Sequence, residues 1–261
     1  FKKCGSVVPV FNDKHLCYNW RDAKAMYDTA RKMKIPFMAG SSLPVAWREP
    51  QEILPIGSVI EEALVLGYGG LESYGFHMLE TLQCIVERRK GGETGIRSVQ
   101  ALQGENAWQA QQQGRWSGEL FKAAAEANGQ VVTEEKLRAS MMNQNAAVYL
   151  MEARDNVKMS AVMAANLGAQ FCLALKLKER DEPFVSWFQL EDKKPYGHFA
   201  YLVKAIEEMI HTGHPSYPVE RTLLTTGILD RAMHSLATDG TAYRTPELAI
   251  RYKPVEWPYA N

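Results

Sequence analysis

Cysteine is scarce in this chain, four residues in 261, and Cys4, Cys17, Cys84 and Cys172 stand so far apart that no C-x-x-C pair forms. Neither a zinc site nor a disulfide framework is suggested, and no metal ligand set is expected. The four read as ordinary thiols, which favours a reducing, cytoplasmic compartment. The sequence starts at Phe1 in the middle of a strand approach, which leaves export open as well. Long apolar runs are also missing. No window approaches the ~18 residues that span a bilayer, and the N-terminus has no apolar signal-peptide core. Nor does one sign of charge dominate: thirty basic side chains balance thirty acidic ones. No global field then draws nucleic acid or an anionic membrane, and a small molecule or another protein is the expected partner. The basic runs Lys2-Lys3 and Arg88-Arg89-Lys90 are short, the second reading as a helix end before Gly91-Gly92. Finally, no strand leads into G-x-G-x-x-G: Gly67-Tyr68-Gly69-Gly70 is followed by Leu71-Glu72, which breaks that spacing.

What is present is ample apolar material, 46% of 261 residues, enough for a sizeable core. Residues 5–40 read as one β-α-β unit. Val7-Val8-Pro9-Val10-Phe11 and Ile35-Pro36-Phe37-Met38-Ala39 are continuous apolar runs, as parallel strands buried on both faces require. Between them 21–34 is amphipathic, with Ala25, Met26, Thr29, Ala30 and Met33 inward. Functional groups in such a unit gather at the strands' carboxyl ends, here Asn12-Asp13-Lys14-His15 and Gly40-Ser41-Ser42. Pro36 makes the second strand short or an edge.

Beyond a proline-bearing connection the texture changes. Strands are expected at 59–66, 96–103, 147–154, 157–165, 169–177 and 184–190, with Asp155-Asn156 as a hairpin turn. A tryptophan-bearing segment at 105–114 and an amphipathic helix at 117–128 read as an insertion over the sheet, and helices at 197–211 and 219–236 close the chain. Strands in a run followed by helices argue for an α+β fold with one mainly antiparallel sheet. The change of texture divides the chain into 1–50 and 51–261, which a family resemblance carried by the residues below makes the remnant of a Rossmann-like domain and a second domain for substrate binding and oligomerisation.

The richest stretch is Gly69-Gly70-Leu71-Glu72-Ser73-Tyr74-Gly75-Phe76-His77-Met78-Leu79-Glu80. A helix starting near Ser73 aligns Ser73, His77 and Glu80 along one side, while Leu79, Leu82, Cys84, Ile85 and Val86 give it a buried face. The plain alternative is a half-buried His77 bonded to Glu80 and nothing more.

In order and spacing these parts resemble the Gfo/Idh/MocA oxidoreductases, named for glucose–fructose oxidoreductase and inositol dehydrogenase. Members end a nucleotide-binding domain with a strand, Glu-Lys-Pro, a helix and a further strand; Phe11-Asn12-Asp13-Lys14-His15, the 21–34 helix and 35–40 are similar. Their second domain carries a Gly-Gly turn, Asp-x-Gly-x-His-x-x-Asp and a strand, which 69–80 and 96–102 resemble. Their closing helices pack back on the first domain, as 199–206 and 219–235 would. The resemblance implies hydride transfer between NAD or NADP and a hydroxyl of a sugar or cyclitol. Lys14 takes the place of the motif lysine near nicotinamide and substrate, and His77 that of the acid–base residue or its partner. Asp13, Lys14, His15 and Ser41 would meet the cofactor. Glu72 and Ser73 join the catalytic set. Arg48, Trp47, Glu80, Tyr196 and His198 are substrate-side candidates. Four positions depart from the family pattern: Ser73 and Glu80 stand for aspartates, Asp13 for the glutamate and His15 for the proline. The resemblance also places a pyrophosphate-binding half upstream of Phe1, makes this the carboxyl-terminal portion, and implies a homo-oligomer through the apolar sheet face.

Two other readings compete. A family-derived sugar-binding or assembly protein without redox chemistry would explain Ser73 and the absent phosphate loop. A metal-assisted lyase or hydrolase would need His77, Glu80, Glu72 and a second histidine, His15 or His198, to converge. Trp108, Trp116 and Tyr196 could stack on a sugar ring, although core packing is the commoner use of such side chains.

Overall fold

The computed structural model describes residues 5–167, 170–191, 193–194 and 196–260, so Lys2-Lys3, Cys4 and the expected strand start at Ala169 lie outside the described residues. Strand β1 (Val10–Asp13), helix α1 (Trp20–Lys32) and β2 (Phe37–Gly40) form the first unit. The Asn19 side chain caps α1 by accepting from Asp22 N–H at 2.9 Å. The two strands pair in parallel, Val10 opposite Phe37 through Asp13 opposite Gly40. β1 starts later than its apolar run suggests. Pro9 has no N–H to give a ladder, so pairing begins at Val10, whose N–H reaches Pro36 O at 2.9 Å, and Val7 and Val8 stay exposed.

The rest of the chain builds one eight-stranded sheet. Its elements are β3 (Trp47–Glu49), β4 (Ile60–Gly67), α2 (Ser73–Val86), β5 (Ile96–Leu102), α3 (Gly104–Gln112), α4 (Gly118–Glu126) and α5 (Glu134–Met141). There follow β6 (Ala147–Ala153), β7 (Lys158–Met163), β8 (Phe171–Leu177), β9 (Phe184–Gln189), α6 (His198–Thr212), α7 (Glu220–Ala237) and β10 (Tyr243–Arg244). The strand order is β10-β5-β6-β7-β4-β8-β9-β3, with every neighbouring pair antiparallel except β4 with β7. The fold is α+β. A hairpin turn does fall at 153–156, closed by Asn156 N–H to Ala153 O at 3.0 Å.

Alternation along the strands separates two cores. Ala63 and Val65 of β4, Tyr149 and Met151 of β6, and Phe171 and Leu173 of β8 face α2 and α7. Leu64, Leu66, Val148, Cys172 and Ala174 point the other way, under α3, α4 and α5. Most of the segment 105–114 is helix α3 (Gly104–Gln112), and Trp108 and Trp116 are buried among these helices, outside the lining of the Lys14 cleft. The sheet face expected to be open is thus covered in part by the chain's own helices, and the part they leave carries Glu62, Ser98, Gln100, Glu152 and Lys158 beside the half-buried Leu150.

A buried ionic seam joins α2 to α7 and the C-terminal segment. Arg221 of α7 donates to both Glu87 oxygens at 2.9 and 2.8 Å, and Tyr252 Oη donates to the same carboxylate at 2.8 Å. Gln83 bridges Tyr252 and Glu93, which in turn receives Arg89 at 2.9 Å. Burial pushes the Cys84 thiol up to about 11 and the Cys172 thiol up to about 12, so both stay protonated at neutral pH.

Arg221→Leu strands the Glu87 charge in the core and is expected to lower unfolding free energy by about 3–5 kcal/mol. Urea denaturation followed by circular dichroism measures this, and an unchanged midpoint would remove the seam from the stability account.

Candidate functional site

The carboxyl ends of β1 and β2 meet the start of α2 at one cleft of about 550 Å3. Lys14 sits there in a left-handed conformation, φ 75°, held by its N–H to Gly40 O at 3.0 Å. A non-glycine residue in that region costs on the order of 1–3 kcal/mol unless its surroundings enforce it. Lys14 Nζ is 2.6 Å from Asp13, with both side chains about half exposed, so the pair contributes little stability and leaves the ammonium at the cleft.

Helix α2 delivers the histidine. The Gly-Gly turn before it allows a sharp entry: Gly69 has φ 89°, and a Cβ there would meet the Tyr74 ring at 2.7 Å. Gly70 O then accepts from Tyr74 N–H at 2.9 Å and Gly75 N–H at 3.2 Å. His77 lies one turn in, its ring near Tyr74, Phe76 and Phe171 at 6.2, 5.7 and 6.4 Å between centroids. Its Nδ1 is 2.6 Å from Ser41 Oγ. Burial, and then the neighbouring Lys14 charge, push the imidazole down to about 4, with Asp13 opposing. The ring is therefore neutral at neutral pH.

Of the residues picked out from sequence, Asp13, Lys14, His15, Ser73, His77, Tyr196 and His198 line this cleft. The others do not. Glu80, one turn beyond His77, is wholly buried outside the cleft lining, accepting from Thr225 Oγ1 at 2.7 Å and Thr222 Oγ1 at 3.3 Å. The spacing placed it beside His77; instead His77 is bonded to Ser41, and Glu80 joins α2 to α7. Ser41 is 2% exposed, its Oγ bonded to His77, and does not itself line the cleft. Arg48, expected in the cleft, is buried under the C-terminal segment, its guanidinium 3.9 Å from the Tyr259 ring centroid and its Nη2 on Pro44 O at 2.8 Å. Desolvation lowers its pKa. Pairing of β3 with β9 fixes Trp47 opposite Gln189, outside the cleft lining, and Glu72 precedes α2 as an exposed residue that makes no capping bond. The ligand set His77, Glu80 and Glu72 is thus not gathered. Among the described residues no three His, Cys, Asp or Glu side chains converge so as to hold a metal ion.

Sequence reading missed the aromatic wall and Glu191. Tyr68 lies 5.1 Å from Phe171, and Tyr74 stacks with Phe171 at 6.3 Å. Tyr74 is legible in hindsight, three residues before His77 on one helix; Phe171 comes from β8 and has no local signal. Glu191 lines the cleft and accepts from Gly197 N–H just before α6.

No family model and no curated protein matches the chain. Solved structures do match its fold. GenD2 from gentamicin A biosynthesis, in complex with NAD, aligns over 93% of this chain and 72% of its own, at 12% identity and TM-score 0.58. The myo-inositol dehydrogenase of Corynebacterium glutamicum aligns over 90% and 72%, at 10% identity and TM-score 0.54. That of Lactobacillus casei, in complex with NAD(H) and myo-inositol, aligns over 90% and 70%, at 7% identity and TM-score 0.54. The fold is thus that of Gfo/Idh/MocA-type dehydrogenases. Among the described residues no helix is long and apolar enough to cross a membrane.

The lowered His77 pKa has a stability consequence. Between about 4 and the usual 6.5, unfolded His77 binds a proton that folded His77 does not, so stability rises with pH across that window. Denaturation midpoints measured from acid to neutral pH should show this slope in the wild type and a weaker one in His77→Gln. An identical slope in both would contradict the burial of a neutral ring.

Proposed function

We propose that the cleft is the hydride-transfer site of an NAD- or NADP-dependent oxidoreductase acting on a hydroxyl, or the matching carbonyl, of a sugar or cyclitol. The observation that carries it is the convergence of Lys14, at a parallel strand's carboxyl end, with His77 beside an aromatic wall. Solved structures of the same fold that hold NAD, or NAD(H) with myo-inositol, support the reading.

The cleft suits the reacting end of a dinucleotide. The Tyr74 and Phe171 rings offer a face for a nicotinamide, with Lys14, Asp13 and His15 at the strand end beside it. When bound, that ring gives or accepts hydride at a substrate carbon. The chain's own residues do the remainder: the Lys14 ammonium meets the substrate oxygen and moves its proton, His77 orients that oxygen, and the aromatic wall displaces water and strengthens both interactions. The sequence has no glycine-rich phosphate loop, and among the described residues β1 pairs only with β2. The pyrophosphate half is proposed to belong to further strands upstream.

A second reading, carbohydrate binding without redox chemistry, is favoured by Ser73, which is no carboxylate, and by that same missing loop. The two separate in one experiment. Protein isolated from its source is screened with NAD or NADP against hexoses, uronic acids and inositols, by nicotinamide absorbance. Turnover that falls by roughly 10²–10⁴ in Lys14→Ala is expected; sugar binding without any nucleotide-dependent turnover would favour the second reading, and undiminished turnover in the variant would sink the role of Lys14.

A further inference from the structure

Ser41 owns one hydroxyl proton, and its surroundings decide where that proton goes. Oγ already accepts the Leu43 N–H at 3.1 Å, while its own main-chain N–H is directed at Glu80 Oε2 at 3.4 Å. The remaining partner of Oγ is His77 Nδ1 at 2.6 Å, and among the described residues it is the one acceptor within reach of the hydroxyl proton. Ser41 is 2% exposed, so water does not compete freely for that proton. Leaving a buried donor unbonded in such a place is unfavourable. On the other side of the ring, Nε2 has no partner among the described residues, and the ring lines the cleft.

We infer that Ser41 donates its hydroxyl proton to His77 Nδ1 and so fixes the ring as the Nε2–H tautomer, a hydrogen-bond donor toward the cleft and not a base. Ser41 is a positioning residue, acting on bound ligand only through His77. A carboxylate partner at Nδ1 would do the reverse, accepting from Nδ1–H and leaving Nε2 as a base. The serine at position 73 leaves room for this inversion, since no acid one turn before His77 claims Nδ1. Burial and the Lys14 charge keep the ring neutral at neutral pH, so the tautomer alone sets what it offers.

The consequence, which rests on the proposed hydride-transfer reading, is a division of labour. Lys14 carries the proton, and His77 holds the oxygen. In the reductive direction a substrate oxygen gains negative charge as hydride, supplied by a reduced nicotinamide, reaches its carbon. It then takes a proton from the Lys14 ammonium, breaking an N–H bond and forming an O–H bond. The neutral Nε2–H steadies the same oxygen without transferring. Both groups are donors in their resting state, which suits a carbonyl oxygen as the incoming ligand.

The tautomer is read by long-range ¹H–¹⁵N correlation of the histidine rings in labelled protein near neutral pH, with His77 assigned by its loss in His77→Gln. The expected spectrum has Nδ1 at the unprotonated position and Nε2 at the protonated one, and Ser41→Ala moves both toward the averaged values of a mixed tautomer. A protonated Nδ1, an averaged wild-type ring, or an unchanged spectrum in Ser41→Ala would overturn the inference. Should Ser41→Ala not fold, the wild-type spectrum decides alone. No nucleotide or sugar enters the measurement, so failure of the proposed activity and failure of the tautomer are separate results.

Discussion

One buried carboxyl holds the cleft together. Glu80 lies at the point where α2 passes between the end of β2 and α7, and accepts from Thr225 and Thr222 of α7 and from Ser41 N–H just after β2. Burial pushes its pKa up, which such a position requires, and the donors around it oppose that shift. The packing is close enough that Gly40 has no alternative: with φ 127°, a Cβ there would stand 2.5 Å from Glu80 Oε2 and 2.8 Å from Thr222 Oγ1. Thr222 also donates to Ala39 O, closing the junction.

Both functional side chains are hung from this junction. Gly40 O holds Lys14 in its left-handed turn, and Ser41 Oγ holds the His77 ring. Lys14 follows β1 and His77 belongs to α2, distant parts of the chain, yet two adjacent residues, themselves fixed by Glu80, set their relative positions. The seam of Arg221, Glu87 and Tyr252 secures the same two helices further along, so α2 cannot slide against α7 without exposing a charge. The polar groups of the cleft thus rest on a rigid base, as the proposed role of orienting a substrate oxygen demands.

Much of this was legible in the sequence where the signal was local. Continuous apolar runs gave the parallel pair, strand-like runs bounded by turn residues gave most of the large sheet, and glycines before a helical pattern located the turn that delivers His77. Helix α5 was not foreseen, although Thr133 with Glu134 and Glu135 is a capped, acid-started helix that puts Leu137 and Met141 on one face. What spacing could not give was which way a side chain turns. Ser73, His77 and Glu80 share a helix side in a projection, but the stripe is wide enough for Ser73 and His77 to face the cleft while Glu80 faces α7. Arg48 shows the same limit. Tyr259, more than two hundred positions away, and Phe188 of β9 cover its guanidinium. The insertion expected over the sheet at 105–128 is there as α3 and α4, and α5 adds to it.

The most direct test of the account is a crystal structure of the protein, isolated from its source, with NAD(H) and myo-inositol bound. The account predicts a nicotinamide ring against Tyr74 and Phe171 and a cyclitol oxygen within hydrogen-bond distance of both Lys14 Nζ and His77 Nε2. A nucleotide seated away from Lys14, or a cyclitol held elsewhere on the chain, would contradict it.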